Sequence, residues 1–464
     1  MEAEAPPGGA GDAAHLPARA YVCLAAVFGV FFLVATPPLQ VPDETAHLLR
    51  TWAIAHGQPL AEQGGFRGFA GVQVPRSLVA LDDRLARRAV SFDPARKQDL
   101  ARVRRELSEE IRPEDRVPYV LPNNYSPLCY LAPAAALRLA EAFGPPPLAL
   151  LYAGRAGNLA LAILVVWAAI RLAPAHRFVL LLLGLMPMTM FQAAGLTADG
   201  LTNALGLFFC AAMLRECATA EPLSGRRALW LGLLAAAVGV TKQVYWPLVA
   251  SAAAIPGRRF PSPGRRAATL AAVALGSLLP MALWWAALLS VGPIFLAAPG
   301  VDPPAQIARI VADPLAFPRL LLATVPLLPS LAEPFVGILG HLDTRLPQPL
   351  YLLYPAALLG AAFFDGGERS PVRGAARAIF PAAAALTTLS ILFVAYVATN
   401  PVGAPGITGV LGRYFIPIAP FLLVALHSGR GEGLPRRAGW WVVGFAAASL
   451  AATAVSVVTR YYAL

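Results

Sequence analysis

Tyr21-Val22-Cys23-Leu24-Ala25-Ala26-Val27-Phe28-Gly29-Val30-Phe31-Phe32-Leu33-Val34-Ala35 is an unbroken apolar stretch, preceded by Arg19 and followed by Pro42-Asp43-Glu44-Thr45-Ala46-His47. A bilayer core takes roughly 20 apolar residues of helix to cross. Residues 20–36 therefore read as a first membrane helix. A cleaved signal peptide is the alternative, but no small-x-small cleavage site follows the stretch, and Pro37-Pro38 stands at its exit. Two carboxylates and an imidazole then sit at the mouth of this helix, where ionisable groups beside lipid are costly. In a helical turn begun at Asp43, His47 lies at i+4 from Asp43 and i+3 from Glu44, so both pairs share a face. That pattern suits acid–base or metal chemistry. The plainer reading is Asp43 as a helix N-cap with two solvated neighbours. The two-histidine HExxH arrangement of zinc proteases is absent.

Composition extends the membrane reading to the whole chain. Of 464 residues, 57% are hydrophobic and only 14% charged, which describes an all-α polytopic membrane protein. The net charge of +11 does not argue for nucleic acid, because arginines collect in short loops between apolar runs and form no basic domain. Cys23, Cys129, Cys210 and Cys217 all fall in apolar stretches without metal-type spacing, and read as small buried hydrophobes.

Apolar runs near 20–36, 148–170, 178–193, 200–214, 228–242, 245–256, 267–290, 350–364, 378–398, 414–427 and 438–459 give about eleven transmembrane helices. Arg171 and Arg177, Arg215, Arg226 and Arg227, Arg258, Arg259, Arg265 and Arg266, Arg369, Arg373 and Arg377, and Arg430, Arg436 and Arg437 then occupy alternate loops. Those loops are expected to be cytoplasmic, and the N-terminus with them. Residues 1–18, rich in Ala, Gly and Pro, read as a disordered cytoplasmic tail, and 19–464 as one transmembrane domain with outer loops 37–147 and 291–349. Residues 125–143 are apolar but carry Arg138 and Glu141, and are expected to lie in the membrane plane as an amphipathic helix of the first outer loop. The charged stretch 82–116 reads as a solvated helix, and the Pro-rich second outer loop as short surface helices.

This threading gathers the other unusual polar groups on the outer side. Asp199 interrupts two apolar runs, either as an N-cap or as a functional carboxylate, with Asn203 one turn on. Lys242, one of two lysines beside Lys97, ends an apolar run. Without a purpose it would cost about 3 kcal/mol at mid-bilayer, though it can snorkel near an interface; a bound anion such as a lipid phosphate is the sharper reading. Arg413 with Tyr414 is either an interfacial anchor or a phosphate-holding guanidinium. Asn123, Asn124 and Tyr125 are candidate sugar contacts or turn residues before Pro127, and Tyr245 is a further candidate contact beside Lys242.

In their order, Pro42-x-Asp43-Glu44-x-x-His47, Ser126-Pro127 with Tyr130, Gly154-Arg155, Met186-Pro187 with Gln192 and Asp199-Gly200, and Gly412-Arg413-Tyr414-Phe415-x-Pro417 resemble a bacterial family of predicted integral membrane proteins of unknown function. That family is in turn similar to the GT-C superfamily of polyprenyl-phosphate-dependent glycosyltransferases. The resemblance implies an acidic residue in the first outer loop, here Asp43 with Glu44 as a substitute, and a second acidic group, here Asp199. It implies a polyprenyl-phosphate-linked sugar as donor, a glycan or lipid acceptor of the cell envelope, and an active site on the extracytoplasmic face of the cell membrane.

On that reading Asp43 is the base, while Lys242, Arg413 and Tyr414 receive the donor phosphate. A divalent cation, Mg²⁺ or Mn²⁺, is a candidate cofactor at Glu44, His47 and Asp199, although the chain lacks a DxD pair after its first helix. Two other functions fit a chain of this kind. One is a transporter or flippase of a lipid-linked sugar, for which broken helices and two-fold repeats would speak; the other is a non-catalytic scaffold that uses its outer loops to bind a partner.

Overall fold

The structure, a computed structural model, describes residues 9–62, 70–87, 90–120, 125–292, 298–429 and 434–463. It is a helical bundle, consistent with an all-α polytopic membrane protein. Seven helices among the described residues are long and apolar enough to cross a membrane: 15–35, 147–172, 199–218, 263–290, 316–336, 376–399 and 437–461. An eighth is added if Arg177–Leu185 and Pro187–Ala194, bent by 59° at Met186-Pro187, are one span. The break follows from Pro187, whose ring and missing N–H stop the first helix and start the second.

The count of about eleven therefore exceeds what helix length supports. Gly225–Thr241 and Gln348–Phe364 are 17 residues each, and Gln243–Ala254 is a 3-10 helix around Pro247. Residues 414–427 divide between a turn at Gly412–Phe415 and the short helix Ala419–Leu423. Composition alone cannot separate such pieces from full spans. By length and composition alone 316–336, expected as surface helices, is also a candidate span, although Leu320 packs with Tyr396 and Ile407 near one end and Leu331 and Phe335 lie against Gly412 at the other. The first helix begins at Gly9, so the second half of the expected tail is helical. Its alanines favour that extension.

The described residues of 37–147, the expected first outer loop, form a packed unit of mixed structure. Gly71–Pro75 pairs antiparallel with Arg116–Val120, placing Val72 opposite Tyr119 and Val74 opposite Val117. Val72 and Val74 pack with Trp52 and Leu49 of helix Glu44–Ala55 and with Leu137 of helix Leu131–Glu141. This last helix has 11 residues. At about 1.5 Å per residue it covers roughly half a bilayer core, too little to cross. Among its described residues the charged stretch holds the π-helix Asp82–Arg87 and the α-helix Leu100–Glu106, the latter covering the first part of the helical spacing that runs from Leu100 to Ile111. Lys97 Nζ donates to the carbonyls of Thr459 and Arg460 at 2.7 and 2.9 Å, and buried Arg460 pairs with Asp343 at 2.5 Å. The loop is thereby pinned to the end of the last helix.

One face of helix Pro147–Leu172 closes two helix ends. Helix C-termini leave carbonyls without partners, and these need donors when buried. Arg155 Nη1 donates to Leu33 and Thr36 carbonyls at 2.9 and 2.8 Å, and Nη2 to Pro37 at 3.0 Å, closing the exit of the first helix. One turn on, Asn158 Nδ2 donates to the carbonyls of Gln192, Ala193 and Gly195, at 2.7 Å for the last, closing Pro187–Ala194.

Candidate functional site

Asp43 stands just before helix Glu44–Ala55 with φ 61°, in the left-handed region that Asp tolerates better than most residues. Its side chain makes no capping hydrogen bond. The plain N-cap reading therefore loses its main support, and the exposed carboxylate faces a cavity. Glu44, the next residue, points elsewhere. Its Oε1 accepts from Arg155 Nε at 2.7 Å and from the Leu196 N–H at 2.9 Å, and its Oε2 accepts from Arg155 Nη2 at 2.6 Å. Both side chains are fully buried. Glu44 thus joins three chain segments, and it leaves the group of residues that face the cavity.

Asp199 opens helix Asp199–Ala218, but it is the Thr197 hydroxyl that accepts from the Gly200 N–H, at 3.1 Å. The Asp199 carboxylate is free for other partners. It holds the Lys242 ammonium in direct contact, accepts from Gln192 Nε2 at 2.9 Å, and lies 3.5 Å from Arg413 Nε. Gln192 is fixed in turn by Asn203 Nδ2 at 2.7 Å. Lys242, Asp199 and Arg413 retain only 12%, 16% and 12% side-chain exposure, so their charges interact with little screening. The Lys242 ammonium also lies 5.3 and 5.0 Å from the ring centres of Tyr125 and Tyr414, an aromatic pair well placed to hold a cation.

Arg413 reaches this place through a tight approach of backbones. A Cβ at Gly412 would overlap the backbone of Leu331 and Phe335, so only glycine lets the turn Gly412–Phe415 lie there. Tyr245 holds the same turn from the other side, its hydroxyl donating to the Tyr414 carbonyl at 2.9 Å. Tyr245 is therefore a support for the turn and does not line the cavity.

His47 is buried, with Nδ1 2.8 Å from the Tyr130 hydroxyl. Burial pushes its imidazole below the usual value, outweighing the opposing pull of Asp43 and Asp199. A folded value below the unfolded one means that its stabilising contribution is full above about pH 6.5 and is lost as pH falls from there. We expect the protein in detergent to lose thermal stability as pH falls below about 6.5, and His47→Gln to flatten that slope. Unfolding scans across this range check both.

The structure thus brings Asp43, His47, Tyr125, Asp199, Lys242, Arg413 and Tyr414 around one cavity of about 40 Å³, with Gln192 and Thr197. Asn124 lies outside the described residues. Gln192 appears in the sequence pattern, but its position between Asp199 and Asn203 was not expected. Asn158 and the fit of Arg155 to Glu44 were missed as well. The available signal was a polar side chain one helical turn after an arginine inside an apolar run.

The set named for a divalent cation does not gather. Glu44 is sealed against Arg155, and the Asp199 oxygens are held by Lys242 and Gln192. Among the described residues, no group of three or more His, Cys, Asp or Glu side chains is placed to hold a metal ion.

A family described as predicted membrane protein (DUF2142) matches residues 26–422. The chain belongs to this family. The match takes in every cavity-lining residue, so the site is built wholly from the part of the chain shared with the family. Comparison with curated proteins and with solved structures gives no match.

Proposed function

We propose that this protein is a GT-C-type glycosyltransferase that moves a sugar from a polyprenyl-phosphate donor to a cell-envelope acceptor on the outer face of the membrane. The observation that carries the reading is one cavity presenting an unpaired carboxylate, Asp43, beside two cations, Lys242 and Arg413. Asp43 takes the proton from the acceptor hydroxyl as its oxygen bonds to the anomeric carbon. The bond from that carbon to the phosphate oxygen breaks, and the polyprenyl phosphate leaves with its negative charge met by Lys242 and Arg413. Asp199 keeps the two cations charged and in place until phosphate arrives.

A cavity of about 40 Å³ admits only a few waters, whereas small-molecule sites run to roughly 300 Å³ and more. Donor entry on this reading parts the tyrosine walls, Tyr125 and Tyr414, from Lys242. Lys242→Gln and Arg413→Gln are expected to raise the donor KM at least tenfold, because each removes a charge-assisted contact to phosphate. Steady-state transfer from a labelled polyprenyl-phosphate sugar measures it, and an unchanged KM in both variants rejects the donor-phosphate assignment.

Topology belongs to the same proposal. Residues 225–241, 243–254, 348–364 and 412–427 each run between the cavity end and the arginine-rich end, which supports eleven crossings with the arginines and the N-terminus cytoplasmic.

A second reading, transport of a lipid-linked sugar, is favoured by the broken pair at Met186-Pro187, which carries Gln192 to the cavity. Transporters place broken helices at their binding sites. Movement of labelled donor across vesicles, without any transfer to acceptor, distinguishes it from the first reading.

A further inference from the structure

A second cavity, of about 560 Å³, lies at the opposite end of the bundle. Helix Asp199–Ala218 fixes the separation: Asp199 lines the small cavity, whereas Cys217 and Ala218 line the large one. A 20-residue helix is about 30 Å long, roughly the thickness of a bilayer core. The two cavities therefore belong to opposite membrane faces.

The walls of the large cavity combine two chemistries. Ala253, Ala254 and Ile255 give it an apolar side, while Arg258, Arg266 and Arg373 give it guanidinium groups. Other arginines at this end are tied into the fold: Arg259 pairs with Glu216 at 2.5 Å, and Arg377 donates to the carbonyls of Ala425 and His427. The cavity arginines keep unused donors. Arg258 makes no hydrogen bond or ion pair with a described side chain, and Arg266 donates through Nη2 to Ala253 O at 2.7 Å but leaves its Nε buried and without a partner. Arg373 gives one Nη2 bond to the Glu368 carbonyl. The one carboxylate in the wall, Glu368, forms no ion pair with any of the three, so the cavity keeps a net positive charge.

We propose that this cavity binds a phosphate group at the membrane face opposite the Asp43 site. The guanidinium donors left unused by the protein match phosphate oxygens, and the apolar wall matches the glycerol and upper acyl portion of a phospholipid. The ligand chemistry is a phosphate ester, carried by an anionic lipid headgroup or by a soluble molecule. The site is independent of sugar transfer.

The test uses the full-length protein, delipidated in detergent, with phosphatidylglycerol, phosphatidylcholine or inorganic phosphate added in separate arms, and retained ligand read by native mass spectrometry. Arg258→Gln with Arg373→Gln is the first variant, since both side chains are exposed and neither closes the core. It is expected to lose at least tenfold in retention of phosphatidylglycerol, or of phosphate if the ligand is soluble. Glu368→Gln, which removes the opposing charge, is expected to raise retention severalfold and answers the test even if the first variant folds poorly. Arg226→Gln, in another loop of the basic end, serves as control and is expected to change nothing. Equal retention in wild type and both cavity variants overturns the proposal, as does an equal loss in the control.

Discussion

Asp43→Asn is expected to lower sugar transfer by roughly 10²–10⁴-fold while leaving thermal unfolding unchanged. Asparagine tolerates the left-handed backbone at φ 61° as aspartate does, and the native side chain makes no capping bond that the change would remove. Only the charge is altered. Asp43→Ala is the poorer test, because a left-handed alanine costs about 1–2 kcal/mol and mixes a folding effect into the activity. Glu44→Gln serves as the contrast. It should act on stability, since Glu44 faces Arg155 and not the cavity. The assay is transfer from a labelled polyprenyl-phosphate sugar by purified protein, with Asp199→Asn measured alongside. Full transfer in Asp43→Asn and Asp199→Asn together would remove the catalytic reading and favour a scaffold.

Arg155→Met should cost about 3–5 kcal/mol of stability, the usual effect of leaving one half of a buried pair behind. All five guanidinium N–H groups are in use: two on Glu44, and three on the carbonyls of Leu33, Thr36 and Pro37. Methionine fills much of the space but satisfies none of these acceptors. Adding Glu44→Leu removes the stranded charge and should recover part of the loss. Recovery stays incomplete, because the Leu33 and Thr36 carbonyls still lack donors at about 1–3 kcal/mol each, whereas Pro37 keeps the Gln40 N–H. Unfolding of the single and double variants in detergent measures both effects, and a single variant within about 0.5 kcal/mol of wild type would show that the pair does not hold the first helix exit.

The residues around the small cavity were legible because ionisable groups are rare and expensive in apolar sequence. Asp43, Asp199, Lys242 and Arg413 each stand where such a run ends, and the structure brings them together. Glu44 was misread for a physical reason: a sequence does not say which way adjacent carboxylates point, and its partner lies 111 residues away. The strand pair at 71–75 and 116–120 left little trace. Each strand is five residues long and contains proline, and their pairing spans the whole charged stretch. The count of about eleven spans goes beyond what helix length alone supports, because composition is blind to backbone geometry. Residues 243–254 are as apolar as a membrane helix yet wind as a 3-10 helix about Pro247.

The distance in sequence between Glu44 and Arg155 bears on how the protein is made. At about 5–20 residues per second, a ribosome takes roughly 5–20 s to synthesise the 111 residues that separate them. Throughout that interval the first helix exit lacks the Arg155 donors for the Leu33 and Thr36 carbonyls and the partner for the Glu44 carboxylate. Glu44 waits in water for its partner, and the segment between the first and second long helices completes its packing only after the second has inserted. The segment's own core, which includes Leu148, Leu151 and Leu196, enforces the same order. Biogenesis therefore has a late step built into its earliest segment, and an Arg155 variant should be captured by membrane quality-control proteases before the protein is ever assembled.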